Sequence, residues 1–166
     1  GNINDLALSA NQTEMVKALA ATGKPVILVL NEGRPRLITE IEPLAGAVVH
    51  TFLPGNYGGE ALAELLSGDA NFSAKMPYTY PKFSGHFSTY DSKPCENVAT
   101  MAGAYNYEAS TDVLYPFGYG LSYSKVAYSN LKAVIDGEAV RFSVDVENLS
   151  DRAVNKPVPL YVSELV

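Results

Sequence analysis

Phe52-Leu53-Pro54-Gly55-Asn56-Tyr57-Gly58-Gly59-Glu60-Ala61-Leu62-Ala63-Glu64-Leu65-Leu66-Ser67-Gly68-Asp69-Ala70-Asn71-Phe72-Ser73-Ala74-Lys75 is the stretch from which the fold can be read. An apolar strand end runs into a Pro-Gly turn. Gly58-Gly59 then opens an amphipathic helix with Ala61, Leu62, Leu65 and Leu66 on one face, and Gly68-Asp69 closes it. Upstream, Ala47 to Leu53 and Val26 to Leu30 are continuous apolar runs of strand length. Such runs predict parallel strands buried on both faces. Between them, Thr39 to Leu44 predicts a short helix limited by Pro43, and the crossover is expected to be right-handed. Before the first run, Ser9 and Gln12 form a capping box, Met15 and Leu19 lead an apolar helix stripe, and Gly23 suits the left-handed stop. The helix, strand, helix, strand, helix order predicts an α/β fold, with an open, mostly parallel sheet and helices on both faces.

Downstream the pattern changes. Residues 82 to 112 mix Ser, Tyr, Asp, Asn and Gly without a period, and aperiodic loops of that length are often functional. Tyr115 to Tyr123 is rich in aromatics and glycine. From Lys125 onward, Val126 to Ile135, the turn Asp136-Gly137, and Glu138 to Glu147 read as a hairpin. Val140, Phe142, Val144 and Val146 alternate with polar residues, the pattern of a half-buried antiparallel strand. Val158 to Ser163 is a third candidate strand. Three strands fall short of the roughly seven of a β-sandwich, so this part reads as a partial sandwich with exposed strand edges open to self-association.

The totals narrow the function. In 166 residues, 47% apolar and 18% charged, one good core can form. A net charge of -6 argues against nucleic acid, whose phosphates need a basic surface. No apolar run approaches the roughly eighteen residues of a membrane-spanning helix. Cys95 is the single cysteine, and His50 and His86 are the only histidines. None has a metal-ligand pattern around it, so no metal or cofactor is expected, and both histidines read as surface or packed residues. The start at Gly1-Asn2-Ile3-Asn4-Asp5, without an initiator Met or a signal peptide, reads as a piece of a longer protein.

Several segments, in order, resemble the C-terminal domain of family 3 glycoside hydrolases, the β-glucosidase and β-xylosidase type. They are Thr22-Gly23-Lys24-Pro25-Val26 into Gly33-Arg34-Pro35, Phe52-Leu53-Pro54-Gly55 into Gly58-Gly59-Glu60-Ala61-Leu62-Ala63, Ser73 to Pro81, and Tyr115 to Tyr123. Ala74 stands where that family usually has Gly, and Asn56-Tyr57 where an acidic residue is frequent. Val144 to Asn148 and Leu160-Tyr161-Val162 resemble the opening strands of its fibronectin type III-like domain. The resemblance implies two domains, 1–124 for the α/β unit without its N-terminal part and 125–166 for a truncated β unit.

It also implies a retaining, exo-acting β-glycosidase that cleaves O-glycosidic bonds at non-reducing ends, periplasmic or secreted, with a β-linked oligosaccharide or glycoside as substrate. Retaining glycosidases use two carboxylates about 5–5.5 Å apart. In the family the nucleophile is an Asp of an N-terminal barrel, and the acid/base is a Glu shortly upstream of the segment resembling Asn4 to Leu8. No residue of this chain matches either role, so no catalytic residue is assigned, no substrate-binding residue is named, and the chain alone is expected to be inactive. The alternatives are a non-catalytic carbohydrate-binding or structural module and a flavodoxin-like domain, the latter disfavoured by the lack of a phosphate loop.

Local candidates remain. Glu32 and Arg34 follow the first strand, where open α/β sheets place ligands, although Arg34 pairing with a nearby carboxylate is the expected use. Gly58-Gly59 is expected to serve close helix-strand packing rather than a phosphate. Tyr115, Tyr119 and Tyr123 are expected to pack, while Tyr90 and Tyr105 could equally stack on sugar or seal the loop. Asp91, Glu96, Glu108 and Asp112 are expected to be solvated, and Cys95 has no adjacent His or basic partner, which makes a catalytic role unexpected.

Overall fold

The computed structural model describes residues 4–84 and 112–161. The chain forms two compact units: Gly1–Glu60 with Met76–Tyr119, and Ala61–Lys75 with Gly120–Val166.

In the first unit, α1 (Ala10–Ala20) starts after Ser9, whose backbone N–H donates to Gln12 Oε1 at 3.2 Å. Gly23 ends it with φ 75°, its N–H donating to the Ala20 carbonyl at 3.0 Å. The buried line of α1 runs through Val16, with Thr13 and Ala20 half-buried beside it. Met15 and Leu19, the expected stripe, are 57% and 49% exposed. The helix is thus turned by about one residue from the sequence reading, because Thr13, Val16 and Ala20 share the face that meets the core.

Strand β1 (Ile27–Leu30) pairs in parallel with β2 (Ala47–His50), from Ile27 opposite Ala47 to Leu30 opposite His50. The α/β class therefore holds. Leu28 points into the core, while Ile27 and Val29 are 48% and 41% exposed. Burial on both faces, which the apolar run predicts, is not found, since the core gathers on the Leu28 face alone. There Val16, Leu28, Ile38, Ile41 and Tyr80 form the buried cluster. The helix expected over Thr39–Leu44 is a single 3₁₀ turn, Glu42–Leu44, held short by Pro43 in its first turn. Strand β2 ends at His50 rather than Leu53, because Phe52 takes a left-handed φ of 54° that a strand cannot continue.

Residues 76–80 and 115–119 find each other within this unit. Tyr80 N–H donates to the Tyr115 carbonyl at 2.8 Å, and Met76 N–H to the Tyr119 carbonyl at 2.7 Å. Tyr80 and Tyr115 form an antiparallel bridge.

Helix α2 (Gly58–Ser67) has no buried residue; Leu62 and Leu65 are half-buried and Leu66 is 40% exposed. At its start, a β-carbon on Gly58 would lie 2.4 Å from Pro54 Cβ, whereas one on Gly59 would meet nothing within 4 Å. The close approach expected of this pair exists at Gly58 only, and it is to the turn's proline rather than to a strand.

In the second unit, Asn71 ties the chain. Its Oδ1 accepts from Ser122 Oγ and Tyr123 N–H, each at 3.0 Å, and its Nδ2 donates to Ser124 Oγ at 2.8 Å. Strand β3 (Val126–Asp136) pairs antiparallel with β4 (Ala139–Asn148) through a two-residue turn whose Gly137 has φ 64°. The register shifts between Ser129 and Lys132, where Asn130 takes φ 54° and donates to Asp145 Oδ2 at 2.7 Å. On β4 only Val144 is half-buried; Val140, Phe142 and Val146 are 52%, 42% and 49% exposed. The predicted hairpin forms, but its apolar face lacks the cover that half-burial requires. The third strand expected at Val158–Ser163 is not formed over residues 158–161, and its last two residues lie outside the described residues.

Most of the 82–112 segment lies outside the described residues, including His86, Tyr90, Asp91, Cys95, Glu96, Tyr105 and Glu108. Asp112 is described and pairs with Lys82 Nζ at 3.3 Å, so it is not merely solvated.

Candidate functional site

The C-terminal ends of β1 and β2 carry the polar chemistry of the first unit. Glu32 follows β1 and turns inward, its side chain 12% exposed. Its Oε1 accepts from Tyr80 Oη at 2.8 Å and lies 3.4 Å from His50 Nε2. His50, the last residue of β2, is packed with its side chain 8% exposed, and its Nε2 lies 3.1 Å from Tyr78 Oη. Tyr80 Oη is also 2.7 Å from the Arg36 carbonyl, and the Arg36 N–H donates to Tyr80 Oη at 3.3 Å. Residues from three separate segments thus close one buried hydrogen-bonded cluster, Glu32, His50, Tyr78 and Tyr80.

Electrostatics keep that cluster in a defined state. Burial pushes the His50 pKa below its ordinary value, against the opposing pull of Glu32, so the imidazole is neutral at pH 7. Burial and then the hydrogen bond to Glu32 push the Tyr80 pKa far upward, and burial followed by the Glu32 charge raises that of Tyr78. Both phenols therefore remain protonated and available as donors. Tyr115 behaves likewise: burial comes first, then its hydrogen bond to Glu42 at 3.0 Å. Tyr115 packs on the core as expected and stacks on Tyr119 with centroids 5.2 Å apart. Tyr119 and Tyr123 pack less than expected, at 41% and 48% exposed, although Tyr123 Oη donates to the Leu65 carbonyl at 2.8 Å.

In front of β1 lies an open cleft of about 1050 Å³ whose polar lining includes Asp5, Gln12, Asn31, Glu32, Arg34 and Arg36. Asp5 Oδ1 accepts from the Ala7 N–H at 2.8 Å, and Arg36 donates to the Asp5 carbonyl at 3.1 Å. Arg34 is exposed. Among the described residues the ion pairs are made by Lys17, His50, Lys82 and Arg141, so the carboxylate partner expected for Arg34 is not found. Glu32 and Arg34, adjacent to the same glycine, serve opposite purposes: the carboxylate is spent inside, and the guanidinium is left outside. The cleft can donate and accept hydrogen bonds to a hydroxyl-rich molecule. Its visible carboxylates are engaged by protein donors.

Position after a parallel strand marked Glu32 and Arg34 in the sequence. His50, Tyr78 and Tyr80 carried no such mark as partners. The one available signal was Tyr78-Thr79-Tyr80, where two tyrosines two residues apart share a strand face.

The glycosyl hydrolase family 3 C-terminal domain model matches residues 2–123. A periplasmic beta-glucosidase of Salmonella typhimurium is 34% identical over 97% of this chain and 22% of its own length. A beta-xylosidase of Formosa agariphila is 32% identical over 99% of this chain and 23% of its own. Among solved structures, a β-glucosidase from Erythrobacter marinus superposes with a TM-score of 0.78 at 34% identity, covering 92% of this chain and 20% of that one. The chain thus spans between a fifth and a quarter of the length of these relatives.

Proposed function

The chain belongs to the glycosyl hydrolase family 3 C-terminal domain family, and from that premise we propose that it serves as the C-terminal part of a retaining, exo-acting β-glycosidase. In that reading, residues 1–124 are the α/β domain and 125–166 the start of a fibronectin type III-like domain. The substrate is a β-linked glycoside or oligosaccharide, and the nucleophile comes from a barrel domain. The observation that carries it is similarity over nearly the whole chain to β-glycosidases several times longer. No catalytic residue is assigned within 1–166.

The test is an aryl β-glucoside and β-xyloside assay, on the 166-residue chain alone and on a longer protein carrying a family 3 barrel. We expect turnover only with the barrel. Turnover by the purified chain alone would overturn the assignment.

A carbohydrate-binding role without catalysis is a second reading, favoured by the polar cleft around Asn31 and Arg34. Calorimetric titration with glucose, xylose and cellobiose separates the two, since saturable micromolar binding by the chain alone supports the module. A periplasmic or secreted location follows the name of the Salmonella relative. Self-association through the open edges of β3 and β4 is also proposed, and sedimentation of the chain at rising concentration checks it.

A further inference from the structure

Phe52 stands at φ 54°, a left-handed conformation that costs a residue bearing a β-carbon and is uncommon for an aromatic. Its backbone N–H donates to His50 Nδ1 at 3.3 Å, and the two rings lie 4.0 Å apart between centroids. An acceptor at Nδ1 fixes the tautomer: the neutral ring carries its proton on Nε2, which faces Tyr78 Oη at 3.1 Å and Glu32 Oε1 at 3.4 Å. Both ring nitrogens are therefore used, one to hold a strained turn and the other to join the buried cluster.

We propose that His50 is a pH-sensitive lock on the turn that follows β2: as the Nε2–H tautomer it holds Phe52 left-handed, and its protonation releases residues 51–57. A protonated imidazole has N–H groups at both nitrogens, so Nδ1–H would face the Phe52 N–H, donor against donor. Among the described residues, the titratable groups turned toward the ring are Glu32 after β1, and Tyr78 and Tyr80 from the 76–81 segment. Glu32 attracts the imidazolium through Nε2, and the phenols bring no competing charge. The ring therefore stays with Glu32, and the Phe52 side lets go. The depressed His50 pKa, caused by burial, agrees with a lock that is closed at neutral pH. The released turn carries Leu53 and Tyr57, 75% and 80% exposed, so the lock governs where two large side chains are presented. The inference is independent of the glycosidase reading.

The test is NMR on the 166-residue chain, with long-range proton-nitrogen spectra of His50 and hydrogen exchange of the Phe52 amide at pH 7.5 and 5.0, corrected for intrinsic rates. The Nε2–H tautomer is expected at pH 7.5. Phe52 protection is expected to fall about five- to tenfold at pH 5.0, the scale of one net hydrogen bond, while Leu28 and Val48 keep theirs. His50→Asn retains an acceptor near Nδ1 and cannot titrate, so protection should persist at both pH values. His50→Gln reaches toward Glu32 without that acceptor, so protection should be low at both. A proton on Nδ1 in the wild type at pH 7.5, which needs no variant to observe, would overturn the proposal. So would an undiminished pH response in His50→Asn.

Discussion

The first unit and the β3–β4 hairpin of the second use similar apolar residues to opposite effect. In the first, Ile38, Ile41 and Tyr80 are 1%, 3% and 1% exposed, around strands of only four residues each. In the second, strands of 11 and 10 residues leave Ile135 81% and Leu131 69% exposed. Backbone pairing is far more extensive in the hairpin, yet the burial lies in the unit with less of it. The comparison teaches that a ladder sets register, whereas stability comes from what covers the sheet, since an isolated two-stranded hairpin is marginal in water.

The sharpest way to break this comparison is a matched pair of truncations. Ile38→Ala should cost about 2–5 kcal/mol in urea unfolding, as expected for a fully buried branched residue. Ile135→Ala should stay within about 0.5 kcal/mol of the wild type. Equal costs would mean that the hairpin face is covered in solution, by another copy or otherwise. Next in size, Tyr80→Phe removes the hydroxyl whose single proton lies within reach of both Glu32 and the Arg36 carbonyl. It should cost about 1–3 kcal/mol in the same experiment, because a buried acceptor is left unmet. No loss would show that water replaces the phenol.

Comparable or smaller is Gly58→Ala, whose new methyl must displace Pro54, at about 1–3 kcal/mol. Gly59→Ala, with open space around it, should instead stabilise by about 0.5–1 kcal/mol through helix propensity. If the two alanines behave alike, the close approach at Gly58 is not real.

The smallest expected effect is acid sensitivity in the first unit. His50 binds a proton less readily folded than unfolded, so its contribution is present above pH 6.5 and is lost as pH falls below that toward its depressed folded value. His50→Asn should flatten that part of the urea-midpoint profile between pH 7.5 and 5.0. An unchanged profile would assign the acid loss to other groups.

Much of the architecture was legible because it is local. Ser9 and Gln12 announce the start of α1, Gly23 its end, and Asp136-Gly137 the hairpin turn, all through contacts within a few residues. Glu32 and Arg34 were legible as a place, the end of a parallel strand, but not as roles. The inward turn of Glu32 depends on Tyr80, 48 residues away in sequence, and on His50, itself held by Tyr78 28 residues away. The misreadings share this cause. Met15 and Leu19 are as apolar as Val16, and Ile27 and Val29 as apolar as Leu28. Nothing local says which side will meet Ile38 and Ile41.

By itself the sequence determined the class of fold, the family, and the turn-helix course that follows Pro54, because caps, turn glycines and ordered motifs act over short spans. Only the tertiary structure decided which faces are buried, that Gly58 rather than Gly59 is the tight one, and that His50 joins Glu32 to a left-handed Phe52. Those outcomes depend on residues distant in the chain meeting in space, and hydrophobic character alone does not specify the partner.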